Sequence, residues 1–469
     1  MLPAASLHSR TRTVSQRGHA CNSYLCASCA NRKTALLWRL QKAGRRDRGH
    51  LSVFACGGQG GVQILRAAAP NDGTLGQLLS ELSGLPTGQI QALSDLGAVY
   101  YRDFNCPPKW RRAKTLGEGA LDTHIAKGQW IRIHPHPRRY PAASTTDWAS
   151  RVLHLDDEFC VVNKPAGIPV QSHESNSAET VPRCMESALG IEHLWMLHRL
   201  DWCTTGVLVL ARTQAASRRF TADMTAHRIQ KQYKALTHLP IKAGSRLEHY
   251  MYNGPFGSSL EVMAGKGLRA RGPRLLSTSE LPGWKHCSLR VTACEEVSSH
   301  RQGAAGEQWL TSLLEHDMQL SMRAGRDAHD ASSSGHTAQQ GPAVQAQTQN
   351  GASGTSVAAQ ELAPHDSART IGNSGTSARH PSCVYECTID LSSGGRTHQI
   401  RAQLSANGLP LLGDAMYAPI AGLTVAGGIA DEQLLRRVDE CLQVEGQIGL
   451  HAHQMTWDGR SFTAPPPWA

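Results

Sequence analysis

The stretch "LHRLDWCTTGVLVLART", residues 197–213, decides how this chain is read. It sets Arg199 and Asp201 two residues apart, follows them with Thr204, Thr205 and Gly206, and then runs apolar from Val207 to Ala211. A short apolar run bounded by turn residues is the pattern of a strand buried on both faces. The segment before it reads as a loop or bulge. On an extended chain, residues two apart point to the same side, so the side chains of Arg199 and Asp201 share a face. A carboxylate fixed by a buried strand beside a cation suits a positioned nucleophile. An ordinary surface ion pair suits the same two residues, and on this stretch alone it is the simpler reading.

At 469 residues the chain is long enough for two or three domains. It holds no apolar run of about 18 residues, so no membrane span is expected. The net charge of +10 is unevenly placed: residues 1–50 carry ten Lys or Arg against the single acid Asp47, which leaves only +1 to the other 419 residues. Net charge therefore says little about the partner of the folded part. An Arg-rich, Ser-bearing, acid-poor N-terminus is the composition of an organelle transit peptide. A chloroplast is the expected destination, with the mitochondrion as the alternative. Cys21, Cys26 and Cys29 have a spacing seen in iron–sulfur proteins, but they lie inside this basic stretch and no cluster or metal is expected. The remaining cysteines show no disulfide framework, as in a reducing compartment.

Residues 1–72 are expected to be transit peptide and disordered linker, with structure starting near Thr74. Apolar residues at helical spacing over Leu75–Leu82 and Ile90–Leu96 predict two short helices, with Thr87 as the cap of the second. Strands are expected at Ala98–Tyr101 and in "KGQWIRI". From 152 to 297, strands and turns alternate with two helices. Residues 298–381, rich in Ser, Gly, Gln and Ala, cannot bury enough apolar surface to offset ordering. They read as a low-complexity excursion from a β-hairpin, holding one short helix within 308–322. The chain then resumes over 382–469.

Two short helices followed by a β-element that returns through "KGQWIRI" resemble the small S4 RNA-binding domain over residues 73–140. Few arginines sit on its second helix. Basic residues gather instead at Lys109, Arg111, Arg112, Lys114, Arg132, Arg138 and Arg139, and these are the candidates for RNA contact in this module.

"HRLDWCTTGVLVLA" is similar to the signature of the RluA family of pseudouridine synthases. "GGRTHQIRAQLSANGLPLLGDAMY" resembles that family's other long motif, "VVNKPAGIPV" its first and "KQYKAL" its middle one, and all four stand in the family's order. "HYMYNGP" and "PGWKHCSLRV", with the front module, make the chain look closest to the plant organellar branch. The resemblance implies an α+β catalytic domain, 148–297 with 382–469, built on a mixed, mostly antiparallel sheet with flanking helices. It implies RNA, ribosomal or transfer, as substrate. It makes Asp201 the catalytic nucleophile or base, Arg401 the cation that keeps it ionised, and Tyr233 the residue that stacks on the uracil and moves a proton. Arg199 would fill the place of the displaced base. Arg396, His398, Ile400 and Lys164 are the further substrate-side candidates.

The chemistry agrees with this. Isomerising uridine breaks the N1–C1′ bond, turns the base and rejoins it through C5, without redox or energy input. It needs a carboxylate that acts as nucleophile or base. The chain offers no P-loop and no dinucleotide fingerprint, so no cofactor is expected, and a monomer is. Two other classes remain. A binding or ribosome-assembly factor that kept the fold and lost turnover sits poorly with intact Asp201, Tyr233 and Arg401. A hydrolase using an Asp nucleophile leaves "GRTHQIR" unexplained.

Overall fold

The computed structural model describes residues 64–102, 110–113, 117–252, 272–297, 303–333, 383–391, 395–425 and 446–469, with a few residues besides. The N-terminal basic stretch, most of the low-complexity insertion, and Lys109 and Lys114 lie outside the described residues.

A first, five-stranded antiparallel sheet takes the order β1 (Ser52–Phe54), β2 (Ile64–Ala68), β7 (Trp130–Ile133), β4 (Val99–Arg102), β5 (Trp110–Arg112), with β3 (Gly73–Thr74) and β6 (His124–Ile125) paired apart from it. Helices α1 (Leu75–Ser83) and α2 (Thr87–Asp95) belong to the same unit. Leu75, Leu79, Ile90, Val99, Ile125, Ile131 and Ile133 are fully or almost fully buried in its core. Two sequence expectations change here. Thr87 caps nothing: Pro86 occupies the cap position of α2, whereas Thr74 caps α1 by accepting from the Gln77 N–H at 3.3 Å. Structure also begins before Thr74, because β2 lies inside the stretch read as linker. Its partner β7 is more than sixty residues downstream, so no local periodicity announces it.

The second sheet holds eleven strands. Its main order is β14 (Leu276–Ser277), β13 (Arg246–Tyr252), β15 (Trp284–Glu296), β16 (Tyr385–Leu391), β12 (Gln230–Thr237), β17 (Leu450–Trp457), β11 (Thr205–Ala211), β9 (Phe159–Lys164), β8 (Val152–Leu155). β10 (Trp195–Met196) pairs with β11, and β18 (Arg460–Thr463) with β17. Only β11 and β17 run parallel among these named strands. With helices α3 (Ala142–Thr145), α4 (Val181–Leu189), α5 (Gln214–Thr225), α6 (Ala304–Ser333) and α7 (Gln399–Ala406), the class is α+β, mixed and mostly antiparallel. β11 is buried along its whole length, as its apolar run demands. Gly206 has φ +108°, and the backbone of Ala452 on β17 stands where a Cβ would go. Only glycine lets the two strands meet there.

Helix α6 springs from the insertion between β15 and β16 and is longer than the short helix expected. Leu313 is fully buried, and Trp309, Leu310 and Leu314 pack with it against Leu236, Val384, Leu412 and Trp468. The composition around these residues hides a stripe at helical spacing.

The two sheets meet at the loop 171–177. Tyr100 Oη donates to the Glu174 carbonyl at 2.5 Å, Arg112 Nη2 to that of His173 at 2.9 Å, and the Ser177 N–H to that of Leu96 at 2.7 Å. Arg132 lies over the rings of Tyr100 and Trp110, at 4.1 and 5.1 Å, and Arg139 pairs with Glu179 at 2.6 Å. Much of the module's positive charge is thus engaged within the protein.

Burial lowers His134 in the first unit and His451 in the second to about 4. The folded chain keeps both neutral down to that pH, while the unfolded chain protonates them near 6.5. Unfolding therefore takes up protons between about pH 6.5 and 4. Stability that is full above about 6.5 falls through this window at up to about 1.4 kcal/mol per pH unit for each histidine. Unfolding temperatures should drop between about pH 7 and 5, and His451→Gln should flatten that drop. A pH-independent unfolding temperature would contradict this reading.

Candidate active site

Asp201 sits on the turn that feeds β11, and several interactions hold that turn. The Thr204 N–H donates to the Asp201 carbonyl at 3.0 Å, and the Gly167 N–H to that of Trp202 at 2.8 Å. Lys164, at the end of β9, is wholly buried. Its Nζ donates to the carbonyls of Pro165, Trp202 and Thr204 at 2.9, 3.1 and 2.8 Å. Those three bonds use all the donors of an ammonium. Burial pulls Lys164 down to about 7, with Cys203 and Asp201 opposing the shift. Lys164 therefore is not an RNA contact. It is an internal tie on the loop that presents Asp201.

Across the cleft stands α7. Its cap residue His398 has φ +60°, a left-handed conformation that costs a non-glycine residue energy. This turn aims His398 Nε2 at Asp201 Oδ1, 3.7 Å away, while Nδ1 lies 3.2 Å from Tyr417 Oη. Burial holds His398 below the usual histidine range, and the neighbouring Asp201 charge offsets this only in part.

One turn along the helix, Arg401 is almost completely buried. Its Nε and Nη2 donate to the two carboxylate oxygens of Asp414, both at 2.7 Å. Its Nη1 is 3.8 Å from Asp201 Oδ2. The Tyr417 ring centre lies 5.1 Å from the guanidinium carbon. Burial opposes the charge on Arg401, but Asp414 overrides it and holds the guanidinium charged far above neutrality. At this separation and an effective dielectric constant of about 20, the attraction between Arg401 and Asp201 is about 4 kcal/mol, against about 1 in water.

Tyr233 lies on β12 at the irregularity in its pairing with β17, between Gln232 and Tyr233. Burial and the Asp201 charge both push its phenol upward, so it stays a neutral hydroxyl at physiological pH. Lys231, two residues earlier, lies on the same cleft and is lowered to about 8 by burial.

Asp201, Tyr233, Arg401, Arg199, Arg396, His398 and Ile400 all line one cleft of about 330 Å³. Lys164 does not. Among the described residues no ion pair joins Arg199 to Asp201. Arg199 is exposed at the cleft rim, where its guanidinium donates to Gln171 Oε1 at 2.9 Å and Thr397 Oγ1 at 3.0 Å. Arg396 Nη2 donates to the His286 carbonyl at 3.0 Å. Ile400 is buried among Ile389, Leu391 and Leu404, with an edge on the cleft. Sequence reasoning missed Asp414, although "LLGDAMY" shows one acid in an otherwise uncharged run. It also missed Gln171 and Thr397, which carry no charge to mark them.

Fold and cleft define an enzyme that places one carboxylate against a fixed buried cation, with a neutral phenol beside them. The family model for RNA pseudouridylate synthase matches residues 158–406. The chain belongs to that family. It is 26% identical over 459 residues to RNA pseudouridine synthase 6, chloroplastic, of Oryza sativa subsp. japonica, covering 87% of this chain and 80% of the relative. It is 27% identical over 378 residues to the protein of that name from Arabidopsis thaliana, covering 76% of this chain and 63% of the relative. To the mitochondrial pseudouridylate synthase RPUSD4 of Mus musculus it is 26% identical over 224 residues, covering 42% of this chain and 53% of that protein. The solved structure of human RNA Pseudouridylate Synthase Domain Containing 4 aligns with a TM-score of 0.36 at 15% identity, covering 68% of this chain and 89% of that one.

Lys164→Met keeps the apolar stem and removes one donor from each of three carbonyls, of which that of Trp202 keeps the Gly167 N–H. An unsatisfied buried acceptor costs about 1–3 kcal/mol, offset in part because a buried charge is also removed. A net loss of roughly 2 kcal/mol is expected, read as a lower unfolding temperature. A variant as stable as the parent would show that Lys164 does not tie this loop.

Proposed function

We propose that this protein isomerises particular uridines in organelle RNA, ribosomal or transfer, to pseudouridine, with Asp201 as the nucleophile or base. The observation that carries the reading is the alignment of Asp201, facing the cleft, with an Arg401 already paired to Asp414. A uridine in folded RNA must first be turned out of its stack. Arg199, exposed at the rim and steadied by Gln171 and Thr397, is suited to occupy the gap. Asp201 then acts at the nucleoside while the N1–C1′ bond breaks. The freed base rotates, C5 bonds to C1′, the C5 hydrogen leaves as a proton and N1 takes one up. Tyr233 borders the base and stays protonated, which suits stacking and proton transfer. In the first unit, where much of the charge is engaged internally, the exposed Arg111 is the residue offered for RNA docking. An S4-like role for this unit, catalytic boundaries near 148–297 and 382–469, and a monomeric state complete the reading.

Because C5 loses its hydrogen, transcripts bearing tritium at uridine C5 should release it to water. On a pool of unmodified organelle ribosomal and transfer RNA, Asp201→Asn should abolish release while RNA affinity changes less than about tenfold, since phosphate and shape contacts carry most of the binding. Arg401→Met should slow release at least about tenfold, equivalent to roughly 1.4 kcal/mol of barrier, and Arg401→Lys should recover only part because the two-pronged geometry is lost. Substantial turnover by Asp201→Asn would end the mechanism.

The ten-to-one basic excess of residues 1–50 and the chloroplastic names of two plant relatives support import into a plastid. A fluorescent reporter fused behind residues 1–70 should enter plastids in plant cells. A cytosolic signal would overturn the localisation, and a mitochondrial one would redirect it.

A further inference from the structure

Helix α6 belongs to the inserted segment, yet it reaches the support of the cleft. It approaches so closely that three glycines leave no room for a side chain. A Cβ on Gly413 would stand 2.5 Å from the Gln447 carbonyl oxygen and 2.8 Å from Leu313 Cδ1 of α6, one on Gly306 would stand 2.8 Å from the Ala469 carbonyl oxygen, and one on Gly446 would strike His316. At this seam Asp317 uses both carboxylate oxygens. Oδ1 accepts the Gly413 N–H at 2.8 Å, and Oδ2 lies 2.8 Å from His238 Nε2, next to the end of β12.

Gly413 is the residue before Asp414. Its φ of +74° turns the chain so that Asp414 points inward to Arg401. The neighbouring peptide is also fixed, since the Leu412 N–H donates to the Leu236 carbonyl at 3.0 Å. The path from α6 to the cleft is therefore short: Asp317 to the Gly413 N–H, Asp414 to Arg401 at 2.7 Å, and Arg401 to Asp201 at 3.8 Å.

We propose that Asp317 is a positioning residue for the reaction, holding the Gly413 peptide so that the Asp414–Arg401 pair stays aimed at Asp201. The role rests on the function proposed above. It gives the insertion a task in catalysis although α6 touches no substrate. Small displacements of a reacting group cost rate steeply, while binding that depends on phosphates far from this seam is untouched.

The test uses the full chain and the C5-tritiated transcript pool, with single-turnover rates and RNA dissociation constants measured in parallel. Asp317→Ala should lower the rate about tenfold with RNA affinity within about twofold. Asp317→Asn, whose carbonyl still accepts the Gly413 N–H, should restore the rate to within about threefold. If Asp317 acts through Arg401, adding Asp317→Ala to Arg401→Met should cost less than about a further twofold. Should the alanine variant not fold, Asp317→Glu keeps the charge but moves the acceptor, and its rate should fall without a matching loss of unfolding temperature. A wild-type rate in Asp317→Ala or in Asp317→Glu, or fully additive losses with Arg401→Met, overturns the positioning role while leaving the function intact. A parent protein that releases no tritium, or an Asp201→Asn protein that does, overturns the function and this role with it.

Discussion

A buried guanidinium shared between two carboxylates organises this protein. Arg401 has lost its water, and its charge persists only because Asp414, itself buried, takes two of its donors at 2.7 Å. That pairing leaves Nη1 turned toward Asp201 at a distance too long for a hydrogen bond and short enough for a strong field. Much of the surrounding architecture serves this arrangement. The left-handed turn at His398 starts α7, Tyr417 covers the guanidinium, and the turn at Gly413 points Asp414 inward. Lys164 performs the matching task on the other wall, fastening the loop of Asp201 through three carbonyls. Buried ion pairs are seldom worth much to stability. Here the residual charge faces a cleft, where it serves chemistry rather than folding.

What was legible in the sequence follows from the range of the interactions. The β11 strand could be read because the unbroken apolar run from Val207 to Ala211 admits few other structures. The approach of Arg401 to Asp201 followed from the family resemblance rather than from spacing. Its clamp by Asp414 did not follow, because it depends on the chain folding back beneath α7 from a point well past the helix end. Strand β2 was missed for the same reason. Lys164 stood as a substrate-side candidate by resemblance alone, and only the fold shows carbonyls closing around it. A short helix was expected where Trp309, Leu310, Leu313 and Leu314 lie, but its length and its packing against the core were not, because the polar composition that follows gave no sign of them.

The first unit and the second sheet are joined through the loop 171–177, and that loop also carries Gln171, the partner of Arg199. One short segment thus receives the side chains of Tyr100 and Arg112 on one flank and steadies the rim arginine on the other.

The parallel contact of β11 with β17 sets an order of assembly. Thr205 pairs with His451 and Gly206 with Ala452, from opposite ends of the catalytic domain. During synthesis, β8, β9, β10 and β11 can pair among themselves long before β17 exists, which leaves only the Thr205–Gly206 end of β11 waiting for a partner on the edge where β10 covers the other end. β12 too awaits β16 and β17, both of which come after the insertion. Contacts of such high sequence separation form slowly. The edge left waiting is the one beside Asp201, so the cleft is completed only when the C-terminal strands arrive. A chain cut short of residue 450 would leave that end of β11 and the facing edge of β12 unpaired, and unpaired strand edges invite aggregation. The position of the C-terminal strand thereby links the integrity of the whole chain to the existence of the active site.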